Sequence, residues 1–424
     1  MMALVLFLSF LVLIFIGVPV AFSLGLSSLL YLFINDMSFS IIPQRMFGGL
    51  NSFVLLCIPG FILAGNLMNA GGITDRIIQF ANNCFGHIRG GLGLANVGSS
   101  MGFAGISGTA LADTASIGAV MIPAMKKEGY GAGFSAAVTA SSSTVGPIIP
   151  PSLPMIIVGT LASVSIGDLF LAGAVPGILL GLGLMIPTYL ISVKRNYPKG
   201  ERKSFKEISS SFLGAFWALF MTVIILVGIL GGIFTPTEAS VIAVLYALVI
   251  GIFVYKELPI RKIPEIMLDS MTSTASIMLL VGFANLFGWI MVSEQIPQLV
   301  ASTILGISSN PIIVIILINI LLLFVGTFME TIAALVILFP VLLPVAMEVG
   351  MDPVQFGVMM VLNLVIGLTT PPVGVCLFVA SQIGKVSIGK TTKELLPFLG
   401  VSLVILLLVS FVPQITLYLP SLFK

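Results

Sequence analysis

The sequence predicts an all-α polytopic membrane protein. It reads as two repeats of opposite membrane orientation, each a re-entrant helical hairpin followed by a broken transmembrane helix. Three observations carry that prediction. First, 58% of the 424 residues are hydrophobic and only 8% are charged, with mean hydropathy +1.20; ordinary soluble domains carry about 25% charged residues. Apolar runs repeatedly reach about 20 residues, enough to cross a bilayer core, without the period-two alternation of a membrane β-barrel. Second, glycines and prolines recur at one fixed separation in the two halves. Third, basic and acidic residues alternate along the chain as they would if the halves entered from opposite sides.

Taken in order, the first stretch is "MMALVLFLSFLVLIFIGVPVAFSLGLSSLLYLFI". It is too long for a signal-peptide core and has neither a basic start nor a cleavage site. One long or two short membrane helices are expected. Next comes "GISGTALADTASIGAVMIPAMKKEGY" from Gly105, which pairs with "GTFMETIAALVILFPVLLPVAMEVGM" from Gly326, 221 residues on. At the same separation Pro123 falls on Pro344 and Gly129 on Gly350. Downstream, "SSSTVGPIIPP" meets "LNLVIGLTTPP": Gly146 falls on Gly367, Pro150 on Pro371 and Pro151 on Pro372. A slip of one residue then aligns "SIG" at 165–167 with "SIG" at 387–389. The related halves cover roughly 40–190 and 260–420.

Charges orient them through the positive-inside rule. Arg76, Arg89, Lys126 and Lys127 flank the first unit; Glu294, Glu348 and Asp352 flank the second, with no Lys or Arg between Lys262 and Lys385. The segment "KRNYPKGERKSFK" (194–206) carries six basic residues and is expected to be cytoplasmic. Crossings at 131–163, 169–193, 209–231, 237–255, 265–290 and 354–384 agree with these sides only if the halves are inverted, as in many secondary transporters.

The units 90–125 and 311–347 are each too long for one crossing, since 36 helical residues span about 54 Å. Each must turn back, at Gly105, Ser107 and Gly108 in the first and at Gly326 and Thr327 in the second. Arm length does not separate a full two-span pair from a re-entrant hairpin. The hairpin is favoured because its tip would meet the proline break near mid-membrane.

Enzyme chemistry is poorly supplied. Cys57, Cys84 and Cys376 have no paired spacing, and the single histidine, His87, lies among Gly and Arg at a membrane edge. A net charge of +2 gives no sign of nucleic-acid binding. The informative groups lie at the breaks. Asp113 is the only carboxylate between Arg89 and Lys126, and Glu330 the only one between Glu294 and Glu348. An ionisable group inside a membrane segment is a functional candidate; a carboxylate early in a helix also stabilises its N-terminus. Both readings stay open, and they are compatible. Hydroxyls and amides cluster beside them: Ser107 and Thr109; Ser141, Ser142, Ser143 and Thr144; Thr327; Thr369 and Thr370; and Asn363, which matches Ser142. Packing and back-bonding are the usual uses of such groups. Broken helices also free carbonyls that ligate a hard cation, and sodium suits an all-oxygen site. In "FTPTEAS" (234–240), by contrast, Thr235, Pro236 and Glu238 read as a helix start with a capping box.

Several stretches resemble the large membrane subunit, DctM type, of tripartite ATP-independent periplasmic (TRAP) transporters. They are "GVPVAFSLGL" (17–26), "IPGFILAGNLMNAGGITDRI" (58–77), "HIRGGLGLANVGSSMGFAGISGTALADTASIG" (87–118), "SSSTVGPIIPPSLPMIIVG" (141–159), "GIFTPTEAS" (232–240) and "LVIGLTTPPVGVCLF" (364–378). Ser107-Gly108-Thr109 stands where "SGS" is expected and keeps a hydroxyl. The resemblance implies a multi-pass protein of the bacterial inner membrane that takes up small organic acids, chiefly C4-dicarboxylates and sialic acid, with Na+ as coupling ion. It implies a small four-helix membrane subunit and a periplasmic substrate-binding protein as partners. It implies an elevator-type transport domain moving against a scaffold.

Carried onto this chain, one sodium site would comprise Gly105, Ser107, Thr109, Ser141, Ser142, Ser143 and Gly146. The other would comprise Gly326, Thr327, Glu330, Gly367, Thr369 and Thr370. Substrate would lie between them at Asp113, Ser107, Pro150 and Pro371. The expected division is 1–48 N-terminal scaffold, 49–168 first repeat, 169–264 scaffold and basic loop, 265–392 second repeat, and 393–424 C-terminal helix. The alternatives are a self-sufficient sodium/dicarboxylate symporter of related architecture and, in another class, a channel or structural membrane scaffold.

Overall fold

The computed structural model describes residues 2–308 and 310–423. The described residues are mostly helical and contain no strand. The N-terminal stretch is two helices, α1 (Met2–Phe15) and α2 (Val20–Ile34), parted at Gly17 and Pro19. Then come α3 (Ile41–Leu50), α4 (Cys57–Ala70) and α5 (Ile73–Phe85).

The first hairpin is α6 (Gly91–Ser107) and α7 (Ala110–Lys127). It turns at Gly108, whose φ of +63° suits a residue without Cβ. Gly105, expected to break the helix, remains within α6. Its small size serves approach instead: a Cβ there would strike the Thr222 side chain and lie 3.1 Å from the Pro150 carbonyl.

The first broken crossing is α8 (Ala132–Ser142), a 3₁₀ turn at Ser143–Val145, an irregular stretch at 146–152, and α9 (Leu153–Ala162). Next are α10 (Ile166–Lys194), α11 (Phe205–Leu230), α12 (Pro236–Val249) continued by a π turn to Val254, and α13 (Ile263–Ser293). Each holds most of a crossing predicted from sequence. The Thr235–Glu238 capping box is formed, with Pro236 in the first turn. After α14 (Ile296–Ile307) come the second hairpin, α15 (Pro311–Gly326) and α16 (Thr331–Glu348), and the second broken crossing, α17 (Pro353–Gly367) and α18 (Val375–Gly384). The chain closes with α19 (Ile388–Phe411) and α20 (Gln414–Leu422). Among the described residues seven helices are long and apolar enough to span a membrane.

The repeat holds in the backbone. Gly129 and Gly350, just beyond the hairpins, share left-handed φ values of +87° and +83°. Pro150–Pro151 and Pro371–Pro372 are both cis. The half-helices α9 and α18 both end in a left-handed residue, Ser163 and Lys385. The one-residue slip lies between the cis pair and the second half-helix: Ser152 caps α9, whereas both Val373 and Gly374 precede α18.

The halves are inverted because four spans, α10 to α13, separate the broken crossings. An even number of spans returns the chain to the side on which α9 ended, so α17–α18 runs the opposite way. The two crossings exchange their second halves: α9 packs on α16 and α17, and α18 packs on α7 and α8.

The basic segments meet at one end of the molecule, as the charge rule requires. Lys126 Nζ donates to the Gly384 carbonyl (2.8 Å), Arg89 Nη1 to Asn196 Oδ1 (3.0 Å), and Gly90 N to the Pro198 carbonyl (3.2 Å). Ion pairs Arg195–Glu394 and Arg76–Glu257, both 2.8 Å, lie at the same end. Two packing groups are evident. The helices α2, α3 and α4 gather on α13, with α12 on α4; α10 and α19 pack on α17, and α19 also on α8.

Candidate ion and substrate site

At the first break the tip of one hairpin meets the interruption of the crossing beside it. A Cβ on Gly108 would lie 3.3 Å from the Pro151 carbonyl. Ser152 Oγ accepts from Met155 N and donates to the Pro147 carbonyl, so this side chain bridges the break. Asp113, in the first turn of α7, is fully buried, and neither carboxylate oxygen has a hydrogen-bond partner among the described residues. It abuts Gly146, where any Cβ would collide with Oδ2. Ser107 stands beside this carboxylate without completing a hydrogen bond to it; its hydroxyl donates to the Thr109 carbonyl at 3.0 Å. One residue on, Thr114 Oγ1 lies 2.6 Å from Ser143 Oγ. Ser141 Oγ is also buried without a partner among the described residues.

Ser142 is turned to another task. Its hydroxyl lies 2.8 Å from Ser100 Oγ on α6, and Asn96 on the same arm donates to Thr139 Oγ1 at 2.7 Å. The second half repeats this tie: Asn363 donates to Asn319 Oδ1 on α15 at 2.7 Å. Asn96 and Asn319 were missed from sequence. Each is the only amide side chain on the first arm of its hairpin, and that singularity was the available signal.

At the second break Gly326 and Gly367 let two backbones touch; a Cβ on Gly367 would lie 2.6 Å from Gly326 Cα. Gly374 N donates to the Thr327 carbonyl (3.0 Å), fastening the irregular stretch to the hairpin tip. Thr369 and Thr370 both return their hydroxyls to the Ile366 carbonyl, at 2.8 and 2.9 Å. Glu330 caps α16: Oε2 accepts from Ile332 N (2.9 Å) and Ala333 N (3.2 Å). The two carboxylates singled out from sequence therefore differ. Glu330 has the helix-cap role; Asp113, in the matching arm, has none.

The exchange of half-helices joins the breaks. Cys376 on α18 is buried beside Thr114, Ser143 and Asp113 of the first break and within reach of Glu330 of the second. The breaks also differ in access. Pro150, Pro151 and Ser152 are buried, whereas Glu330, Pro372 and Val373 are exposed and Pro371 is half-buried. Ser107 and Thr109 also line a cavity of about 210 Å³ between the first hairpin, α4 and α13, with Asn66, Asn69, Ser116 and Ser273 on its walls.

These orphaned oxygens fit a hard cation. Buried polar groups are normally hydrogen-bonded, and an unpaired carboxylate inside a membrane protein calls for a positive partner. The side-chain oxygens without a partner among the described residues at the first break, on Asp113 and Ser141, are hard donors; the Cys376 thiol beside Asp113 is the soft group there. No group of three or more His, Cys, Asp or Glu side chains suited to a transition metal occurs among the described residues.

Comparison with known proteins gives the family. The profile described as "Tripartite ATP-independent periplasmic transporter, DctM component" matches residues 7–415. The chain is 45% identical over 412 residues to the sialic acid TRAP transporter large permease protein SiaM of Vibrio cholerae, covering 97% of this chain and 96% of that one. It is 41% identical over 400 residues to the C4-dicarboxylate TRAP transporter large permease protein DctM of Pseudomonas aeruginosa, covering 94% of each. The crystal structure of the Alcanivorax borkumensis YdaH transporter superposes with TM-score 0.62 over 90% of this chain and 88% of that one at 16% identity, which establishes a shared fold. These relatives are named as permeases rather than enzymes, and the long apolar helices agree with a multi-pass protein of the bacterial inner membrane. The chain belongs to the DctM-component family of the tripartite ATP-independent periplasmic transporters.

Proposed function

We propose that this chain is the large membrane subunit of a sodium-coupled uptake system for a small organic acid of the sialic acid or C4-dicarboxylate class. A small four-helix membrane subunit and a periplasmic substrate-binding protein complete the system. The observation that carries the reading is the fully buried Asp113, without a hydrogen-bond partner among the described residues, facing Gly146 in a broken crossing.

In this reading Asp113, expected at the substrate from the family resemblance, joins the first sodium site with Ser141, Ser143, Gly146 and the tip 105–109. The second is Gly326, Thr327, Glu330, Gly367, Thr369 and Thr370. A bound cation supplies charge that offsets an anionic substrate nearby; this chain's residues hold and orient both. Ser142 and Asn363 tie hairpin to half-helix and act as positioning residues. Substrate lies at Ser107, Pro150 and Pro371, with the polar cavity beside Ser107 leading to it. The moving body in this reading is the hairpins and broken crossings with α10 and α19, sliding against α1–α4 and α11–α13 as an elevator; it differs from the division expected from sequence in taking in α10 and leaving out α4 and α13. The interlocked half-helices support motion of both breaks together.

The test is uptake by proteoliposomes holding all three components, with labelled sialic acid and succinate in turn. Uptake driven by an inward sodium gradient, and absent with potassium alone, is expected. Uptake indifferent to sodium overturns the coupling, and saturable uptake by this chain alone overturns the tripartite requirement.

A further inference from the structure

At the end opposite the basic cluster, a cleft of about 700 Å³ opens between α3 and α13 on one side and α9 and the second hairpin on the other. Arg45, Gln44, Asn285 and Trp289 line it, with Val336 and Pro340 of α16 facing them. Its side of the membrane follows from α13, which starts beside Arg261 and Lys262 and ends at Glu294. The residues of α13 that line the cleft, from Ala284 to Val292, belong to the external half.

Arg45 is out of place by the charge rule. Every other Lys and Arg among the described residues lies in segments that form the basic end. Cationic residues are depleted outside, so an arginine kept there needs a use. Its guanidinium lies 4.7 Å from the centroid of the Trp289 ring. Stacking on an aromatic face orients a guanidinium while leaving its edge N–H donors free. Arg45 makes no hydrogen bond or ion pair with any described residue. The carboxylate at the end of α13, Glu294, accepts a hydrogen bond from Tyr31 instead. The helix itself is built for this aim: Gln44, Arg45, Gly48 and Gly49 face the cleft, while Phe47, 73% exposed, faces away. Gly49 has no side chain because Asn285 fills that space.

We infer that this outer cleft is a capture site for a small organic carboxylate, which Arg45 binds through the edge of a guanidinium stacked on Trp289 before the anion reaches the breaks. The inference rests on the proposal above that the cargo is an organic acid. Arg–carboxylate pairs are bidentate and charge-assisted, and a single cation in a low-dielectric cleft concentrates anions. Gln44 and Asn285 offer neutral polar groups for the rest of the molecule. An anionic lipid headgroup has the same charge, so the test separates the two sources.

Trp289 is one of two tryptophans, so Trp217→Phe leaves it as the only indole. The full chain carrying that change is placed in nanodiscs of zwitterionic lipid and titrated with sodium sialate and with sodium succinate. A saturable change in Trp289 emission with at least one of them is expected. Arg45→Gln should raise the half-saturation concentration about ten-fold or more, and Arg45→Lys should restore part of it. In the complete three-component system, Arg45→Gln should raise KM and leave the maximal rate unchanged. No saturable response to either anion, an equal response in Arg45→Gln, or a response that tracks added anionic lipid rather than the soluble anion each overturns the capture site. Those failures leave sodium-driven uptake by the unmodified system intact; loss of that uptake is the separate failure of the transporter proposal.

Discussion

At the residue scale the contrast between Asp113 and Glu330 is the sharpest handle. Asp113→Asn keeps the size of the side chain and replaces a carboxyl oxygen that has no hydrogen-bond partner among the described residues, so no protein contact is lost. The melting temperature should hold or rise while sodium activation of uptake is lost. Unchanged sodium activation would remove Asp113 from the ion site. Glu330→Ala should cost about 0.5–2 kcal/mol as a lost helix cap. Glu330→Ser restores a cap without the charge, so thermal melts and sodium titration of these two variants separate the capping role from any ionic one. Gly367→Ala places a methyl 2.6 Å from Gly326 Cα, a backbone atom that has no room to yield. It should destabilise by at least about 1–3 kcal/mol. Gly129→Ala, with nothing within 4 Å and a φ of +87°, should show only backbone strain of about 1–2 kcal/mol. Equal melting shifts for the pair would contradict the close approach at the second break.

At the element scale, helices are fixed at their ends by polar contacts that respond to pH. The Arg76 guanidinium hydrogen-bonded to Glu257 holds that carboxyl below the usual range, and Arg76 also lies 4.0 Å from the Tyr255 ring centroid. A carboxyl depressed in the folded state stabilises fully above its unfolded value of about 4.3. That stabilisation is lost as pH falls through the lower folded value. Both side chains are partly exposed, so the contribution is no more than about 1 kcal/mol. Glu257→Gln should therefore lower stability slightly at neutral pH and converge with the unmodified protein in acid. Thermal melts across pH 7 to 3 measure this, and a constant gap would refute it. Element limits were legible because caps and prolines are local: Thr235 and Pro236 start α12 as their order requires. The Gly105 position was misread as a break because glycine serves both turns and close packing, and only the neighbouring helices distinguish the two.

At the scale of the whole molecule the claim is inversion. Glu348, at the end of α16, and Lys203, in the basic loop, should lie on opposite sides of the membrane. In a background carrying Cys84→Ser, Glu348→Cys should react with an impermeant maleimide in spheroplasts stripped of the outer membrane. Lys203→Cys should react only after lysis. Labelling of both in intact spheroplasts would refute the inversion. The basic end, gathered by Lys126, Arg89 and Arg195, already follows the charge rule.

The sequence by itself determined the membrane class, the crossings, the 221-residue repeat and its inversion. Each follows from local hydropathy, helix-breaking residues and loop charge, none of which needs a distant partner. Tertiary structure decided the rest. That Asp113 stands alone while Glu330 caps, that Ser142 and Asn363 brace the hairpins, and that Arg45 stacks on Trp289 all depend on residues brought together across long stretches of chain. The decisive event is the exchange of α9 and α18 between the halves, which brings Cys376 to Asp113. Spacing along one chain records where a helix breaks; only packing selects which oxygen is left without a partner when the breaks meet.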